Sequence, residues 1–563
     1  MNLTEKLKTL TETEVDALVK TISQQIIKDP NLNSKRVTKS LAVLNSMIVL
    51  NETFDFDTVN LVIDNSEKAI VQDLIEGYFD VSLSSVFHSN HPSDTLGVGL
   101  AIALESDTQT IVMVDDSILN YGKTFESLIQ IVNYHPDISV IFYDSEDQLI
   151  KSHTVVDSMV KNLRMSRPYT RVKKDLKSVL SNPVGKPILD SLSKMRDGVK
   201  SVILEPNIFS QFSFNYHGAI DGQNFKSLRR IFTQLSEMQG ANLIHVNTDM
   251  RTLQKLKLPS FKTESGIPSD YVHYMDMVDE VLSHYPDLHV CIDLTKNGDH
   301  LSLFQENHPD QYFVSNGTYH SMIDTVKGLL MLDKKVVVIL SSYQFKHIIS
   351  LIQEQINVSD PVLFIIKDAG LNDEGNQYQQ GIYDIGLAQL YTQNILMGQN
   401  IYETKSMIQS ILNDDHYPYT IVRIPDISEK YDQNIDVNIS NWELVYEPDV
   451  IDAYIIGYGP SIAKVAHKSK VNGLNVGVIN ASHLFYIDEA LIKRIQSERK
   501  PLYVYDLEDI HHTLHRVILT ITKDIQLINI SIKGADLSMT SRDLKQRYQL
   551  NTDHILNLIK NRK

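Results

Sequence analysis

The sequence predicts an α/β protein of three parallel-sheet domains, and three observations carry that prediction. Its 563 residues are enough for about three domains of ordinary size. Short apolar runs rich in β-branched residues alternate with helix-length stretches from Val59 to Ile532, the pattern of strands joined by crossover helices. Two polar, poorly periodic stretches, Met250–Asp270 and Pro425–Glu443, cut the alternation into three blocks. The expected domains are therefore 1–255, 271–428 and 446–563.

The chain opens with helices. Thr11 and Glu14 have capping-box spacing ahead of Val15, Leu18, Val19, Ile22 and Ile26, which fall on one helix face. A second helical stretch, Val37–Leu50, leads to the first strand, Val59–Asp64. Next comes the unit around which the first domain is organised. Thr110–Val114 (TIVMV) is a strand, the following helix carries Phe125, Leu128, Ile129 and Val132 on its apolar face, and Ser139–Asp144 (SVIFYD) is a second strand. In such a unit the groups at the carboxyl ends of the strands face the ligand crevice, which places Asp115, Asp144 and Ser145 there. Residues 151–200 are basic and helical in character, and a solvated helix face explains them better than a phosphate site. Ala241–Asp249 closes the first block. The second block has strands His289–Asp293, Lys335–Leu340, Pro361–Ile366 and Tyr419–Ile424. The third has Ala453–Gly459, Leu474–Asn480, Pro501–Asp506 and Ile525–Ile532.

Composition narrows the function classes. A formal charge of −17 disfavours nucleic acid or an anionic membrane as partner. The single cysteine, Cys291, allows no intrachain disulfide and suits a reducing, cytoplasmic setting. The first ten residues contain no apolar signal core, and no run approaches the roughly 20 apolar residues of a membrane helix. There is no nucleophile elbow, P-loop or clustered metal-ligand motif, and the glycine pair Gly457 and Gly459 is weak evidence for nucleotide binding.

Four segments, in order, carry a family likeness: FHSNHPSDTLGVGLAIAL (87–104), NYHGAIDGQN (215–224), KDAGLNDEGNQYQQGIYDI (367–385) and NGLNVGVINASHLFYIDEALI (472–492). They resemble the family's F-G-T-G-H-S-S-T-S-I-S-A-A-L-G, Y-I-G-P-x-D-G-H, D-R-A-G-L-V-G-A-D-G-P-T-H-H-G-x-F-D-L and G-x-x-V-x-V-x-x-A-R-F-x-K-P-L-D. The family is that of 1-deoxy-D-xylulose-5-phosphate synthase, thiamine-diphosphate enzymes of the transketolase superfamily. The resemblance implies a transketolase-like thiamine-diphosphate-binding fold with a transketolase C-terminal domain. It also implies thiamine diphosphate held through Mg²⁺ between the first two domains, and a homodimer, with a heterodimer with a paralogue as the alternative. The implied reaction couples pyruvate to glyceraldehyde 3-phosphate with release of carbon dioxide.

Carried over residue by residue, the family's sites are only partly kept. The family's G-D-G falls on Val114-Asp115-Asp116, and its distal asparagine on Ser145, so the resemblance makes Asp115 and Ser145 the metal and cofactor contacts. Asp115 suits a hard cation. Asp116 brings a second negative charge beside a diphosphate; two unit charges about 4 Å apart repel by roughly 4 kcal/mol at an effective dielectric near 20. The competing explanation is that Asp115 and Asp116 cap the helix that follows. The glutamate that activates the aminopyrimidine falls on Thr318, whose hydroxyl cannot hold a proton as a carboxylate does. His91 matches a family histidine and is the remaining catalytic candidate, while two other histidine positions read Gln223 and Gln380. Tyr343 keeps the ring expected to stack on the pyrimidine, and Lys346 and Arg423 are the candidates for the acceptor's phosphate. Asp426 stands where the family has a phosphate-binding arginine. These changes predict a synthase-like protein that has lost the coupling reaction and serves as a binding or assembly module, retaining a small anionic ligand near Asp115. The alternative is an active synthase with a rearranged site.

Overall fold

The computed structural model describes the chain apart from residues 1–11, 29–33, 55–58, 65–73, 78–85, 90–91, 145–208, 210–211, 236, 249–270, 295–300, 316–318, 373–379, 415–416, 430–441, 508, 523, 533–536, 538 and 562–563. The Thr11 cap, the basic stretch 151–200 and the predicted linker 250–270 lie outside the described residues. The described chain forms two compact units, Met1–Ser265 and Gly266–Lys563.

The first unit is built on six parallel strands in the order β2-β1-β3-β4-β6-β5: β1 Val59–Asp64, β2 Val86–Ser89, β3 Gln109–Asp115, β4 Ile138–Asp144, β5 Asn215–Asp221 and β6 Ala241–Asn247. Both faces of this sheet are covered, which explains why β3 and β4 read as unbroken apolar runs rather than alternating ones. Ile111, Met113, Ile141 and Tyr143 pack with helices Glu12–Lys28, Ser34–Thr53 and Phe225–Leu235 on one face. Val112, Val114, Val140 and Phe142 pack on Leu96, Leu100, Leu128 and Ile131 on the other. The helix after β3, Gly122–Tyr134, is rotated from expectation. Its buried residues are Thr124, Ser127, Leu128 and Ile131, whereas Ile129 is 49% exposed. Leu128 belongs to both faces, and the buried one is fixed by packing against helix Thr95–Glu105, which a heptad count of apolar residues does not sense. Residues Ser40–Asn51 of helix Ser34–Thr53 are all buried, so this helix is an interior element rather than an amphipathic surface one.

The second unit contains two larger sheets. One is parallel, in the order β12-β13-β11-β10-β8-β9, with β8 Leu288–Asp293, β9 Tyr312–Ser315, β10 Lys335–Ser341, β11 Val362–Lys367, β12 Ile395–Leu396 and β13 Thr420–Arg423. The antiparallel pair β7 Tyr271–His273 and β14 Ile427–Glu429 stands apart from it. The other sheet runs β15-β17-β16-β18-β19, with β15 Glu443–Tyr446, β16 Ala453–Gly457, β17 Val476–Asn480, β18 Leu502–Asp506 and β19 Leu527–Ser531. Only β15 is antiparallel. Apart from β5, for which the sequence reading gave no strand, the long strands match that reading within a residue or two. The short edge strands β2, β9, β12 and β15 were not foreseen, because two to four residues carry too little periodicity.

In all three large sheets the strand order reverses after the first two strands, placing a crevice between β1 and β3, β8 and β10, and β16 and β18. A buried aspartate ends a strand beside each: Asp115, Asp293 and Asp506.

Candidate functional site

Asp115 closes β3 and is in register with Tyr143, so both side chains project toward helix Ser34–Thr53. The carboxylate is 2% exposed and forms an ion pair with the Lys39 ammonium, which reaches it from that helix. It also accepts from the Ser117 backbone N–H at 2.9 Å and from the Ser117 hydroxyl. Asp115 is thus the N-cap of the 3₁₀ turn Asp116–Asn120, the capping role weighed against metal binding. Burial pushes the neighbouring Tyr143 phenol upward in pKa.

This donor set does not fit a divalent cation holding a diphosphate. Asp115 already faces a positive charge, and Asp116 adds a carboxylate where close backbone approach is needed. Among the described residues no three His, Cys, Asp or Glu side chains are grouped to hold a metal. His91, Ser145 and Thr318 lie outside the described residues.

On the opposite face of the same sheet, Asp144 and His245 are both fully buried. His245 Nε2 lies 3.1 Å from Asp144 Oδ2, and its Nδ1 lies 2.7 Å from the Tyr216 hydroxyl. Gln223 is held by Asn45, whose amide donates to its Oε1 at 3.0 Å.

In the second unit, Asp293 ends β8 and accepts from Gln344 Nε2 at 2.6 Å and from the Ser315 hydroxyl at 2.8 Å. Gln344 is itself locked by a capping box with Ser341 at the start of helix Ser342–Gln355. That helix presents Tyr343 and Lys346, both half-buried. The Lys346 ammonium sits 5.3 Å from the Tyr343 ring centre and 5.1 Å from that of Tyr383, and burial holds its pKa below the usual lysine value.

Arg423 ends β13 and is 1% exposed. Its Nε and Nη2 donate to Asp384 Oδ2 and Oδ1 at 2.7 and 3.0 Å, a bidentate fork, and Nη2 also donates to the Gly381 carbonyl at 2.9 Å. Gly381 has no room for a side chain: a Cβ there would run into the Asp368 carbonyl oxygen. Gly381→Ala is therefore expected to lower stability by about 1–3 kcal/mol, read as a lower urea midpoint at unchanged m-value.

At the third crevice the Tyr458 hydroxyl donates to Asp506 Oδ1 at 2.6 Å. Asp509, ahead of helix Thr513–Ile521, accepts from His511 and Thr513 N–H at 3.0 and 2.8 Å. Burial, then the nearby Asp509 carboxylate, holds the Asp506 pKa well above the usual carboxylate range.

Lys39, Asp293, Gln344 and Asp506 were missed in the sequence. A signal was present: VMVD, VCID and LYVYD are all apolar strands ending in aspartate, and Lys39 stands just before an apolar helical run.

A family model described as 1-deoxy-D-xylulose-5-phosphate synthase matches residues 72–248. The 1-deoxy-D-xylulose-5-phosphate synthase of Listeria innocua is 23% identical over 555 residues, covering 88% of this chain and 86% of that protein. That of Clostridium acetobutylicum is 20% identical over 598 residues, covering 97% and 95%. Among solved structures, transketolase from Leishmania mexicana is similar over 94% of this chain and 97% of that one, at 10% identity and a TM-score of 0.42.

Proposed function

We propose, on the premise that this chain is a divergent relative of the 1-deoxy-D-xylulose-5-phosphate synthases, that it keeps their fold as a binding or assembly module and does not couple pyruvate to glyceraldehyde 3-phosphate. The observation that carries this reading is the state of Arg423. The resemblance would have it meet the acceptor's phosphate, but its guanidinium is enclosed and donates to Asp384 and Gly381. A cation already committed to a buried carboxylate is a poor phosphate ligand, because releasing it would strand Asp384. Thr318 supports the same reading. Without a carboxylate to drive the aminopyrimidine into its reactive tautomer, the loss is on the order of 10²–10⁴-fold in rate. In this reading the partners are a second copy of the chain or a paralogue, and any small ligand is an anionic metabolite.

The test is direct. Purified protein is supplied with thiamine diphosphate and Mg²⁺, and carbon dioxide release from pyruvate is followed with and without glyceraldehyde 3-phosphate. No release above background is expected, and Thr318→Glu is expected to stay inactive because Arg423 remains enclosed. Turnover by the unaltered protein would establish the second reading, an active synthase with a rearranged site. The synthase names of relatives covering 88% of the chain favour that reading.

A further inference from the structure

We infer that Lys39 is a built-in cation standing in for the divalent metal, so that the crevice at the end of β3 is closed to a metal-bound diphosphate. The inference concerns the first unit's crevice and rests on the reading above only for the cofactor class. Three observations lead to it. Asp115 is the one hard-oxygen ligand that the strand end retains, and its side chain is 3% exposed. The ion pair it makes is with an ammonium that is itself 12% exposed and carried by a helix buried from Ser40 to Asn51, so Lys39 cannot swing far aside. Lys39 meets Oδ2 of Asp115, and Ser117 occupies Oδ1 through both backbone N–H and hydroxyl.

The charge balance follows from these contacts. A divalent ion bonded to Asp115 would have to sit beside a fixed ammonium, and two cations sharing one carboxylate in a water-poor setting repel strongly. An ammonium on a packed stem is, however, a single charge with three donors. It neutralises one carboxylate and cannot bridge that carboxylate to phosphate oxygens as a metal does. Asp116, next in the chain, offers a diphosphate only repulsion. Lys39 therefore satisfies the protein and leaves no net positive charge for a polyanion.

Mn²⁺ binding, followed by electron paramagnetic resonance and calorimetry on the full chain, tests this without any activity readout. The wild type and Lys39→Arg are expected to show no saturable Mn²⁺ that depends on Asp115. Lys39→Met, which leaves the carboxylate without its cation, is expected to bind one equivalent at least ~10-fold more tightly than wild type. The double variant Lys39→Met/Asp115→Asn is expected to lose that gain. Where Lys39→Met does not fold, Lys39→Gln, whose amide still donates to Asp115, serves instead. Wild-type Mn²⁺ binding abolished by Asp115→Asn would overturn the inference, as would a neutral Lys39 variant binding no better than wild type. Carbon dioxide release with thiamine diphosphate and Mg²⁺ would sink the functional reading and this inference together, whereas an Asp115-dependent Mn²⁺ site in a wild type that releases no carbon dioxide would sink this inference alone.

Discussion

Replacing Arg423 with methionine is expected to cost about 3–5 kcal/mol of stability, seen as a large drop in the urea midpoint of the second unit's transition. Methionine approximates the stem's volume, so little of this comes from a cavity. The loss arises because Asp384, 2% exposed, is left as an uncompensated charge, and the Gly381 carbonyl loses a donor. The double variant Arg423→Met/Asp384→Asn should recover most of the loss, since removing both charges removes the stranded one. Lysine is not an adequate substitute: it offers a point charge where the site is built for a two-pronged fork. If Arg423 were instead held ready for a ligand, Arg423→Met would be nearly neutral in stability and inorganic phosphate would raise the wild-type melting temperature. Either result would remove the main support for lost phosphate recognition.

The second large effect concerns pH. Asp506 is fully buried, and its pKa is raised by that burial and by Asp509, with the Tyr458 hydrogen bond and the Arg423 charge opposing. Well below about pH 4, folded and unfolded states both hold its proton, so its contribution to stability is complete there. As pH rises above that range the unfolded chain releases the proton and the folded protein keeps it. The folded state then binds more protons, and stability falls by up to about 1.4 kcal/mol per pH unit until the folded pKa is reached. Asp506→Asn keeps an acceptor for Tyr458 and has no proton to lose. The variant should therefore lose less stability than wild type between about pH 5 and 8, and should be the more stable of the two at the upper end. Stability profiles that run parallel for the two proteins would show that Asp506 ionises normally.

At two of the three crevices the aspartate that ends a strand is satisfied from within, Asp115 by Lys39 and Ser117 and Asp293 by Gln344 and Ser315, while at the third the Tyr458 hydroxyl meets Oδ1 of Asp506 only. Positions where α/β proteins usually receive ligands are here filled by the protein's own donors.

The strands and their block order were legible from local pattern, because a strand covered on both faces must be apolar along its whole length, as TIVMV and SVIFYD are. The departures that the resemblance implies at Thr318, Asp116 and Asp426 likewise need only a residue type to be read. What the pattern could not convey was pairing. Lys39 lies 76 positions before Asp115, and Arg423 lies 39 after Asp384; no periodicity links such residues, and the same letters are compatible with a solvated lysine and a ligand-facing arginine. Only burial separates those cases, because a charge taken out of water must find its opposite close by. Burial is a property of the packed sheet and helices, and for that reason it was decided by the tertiary structure alone.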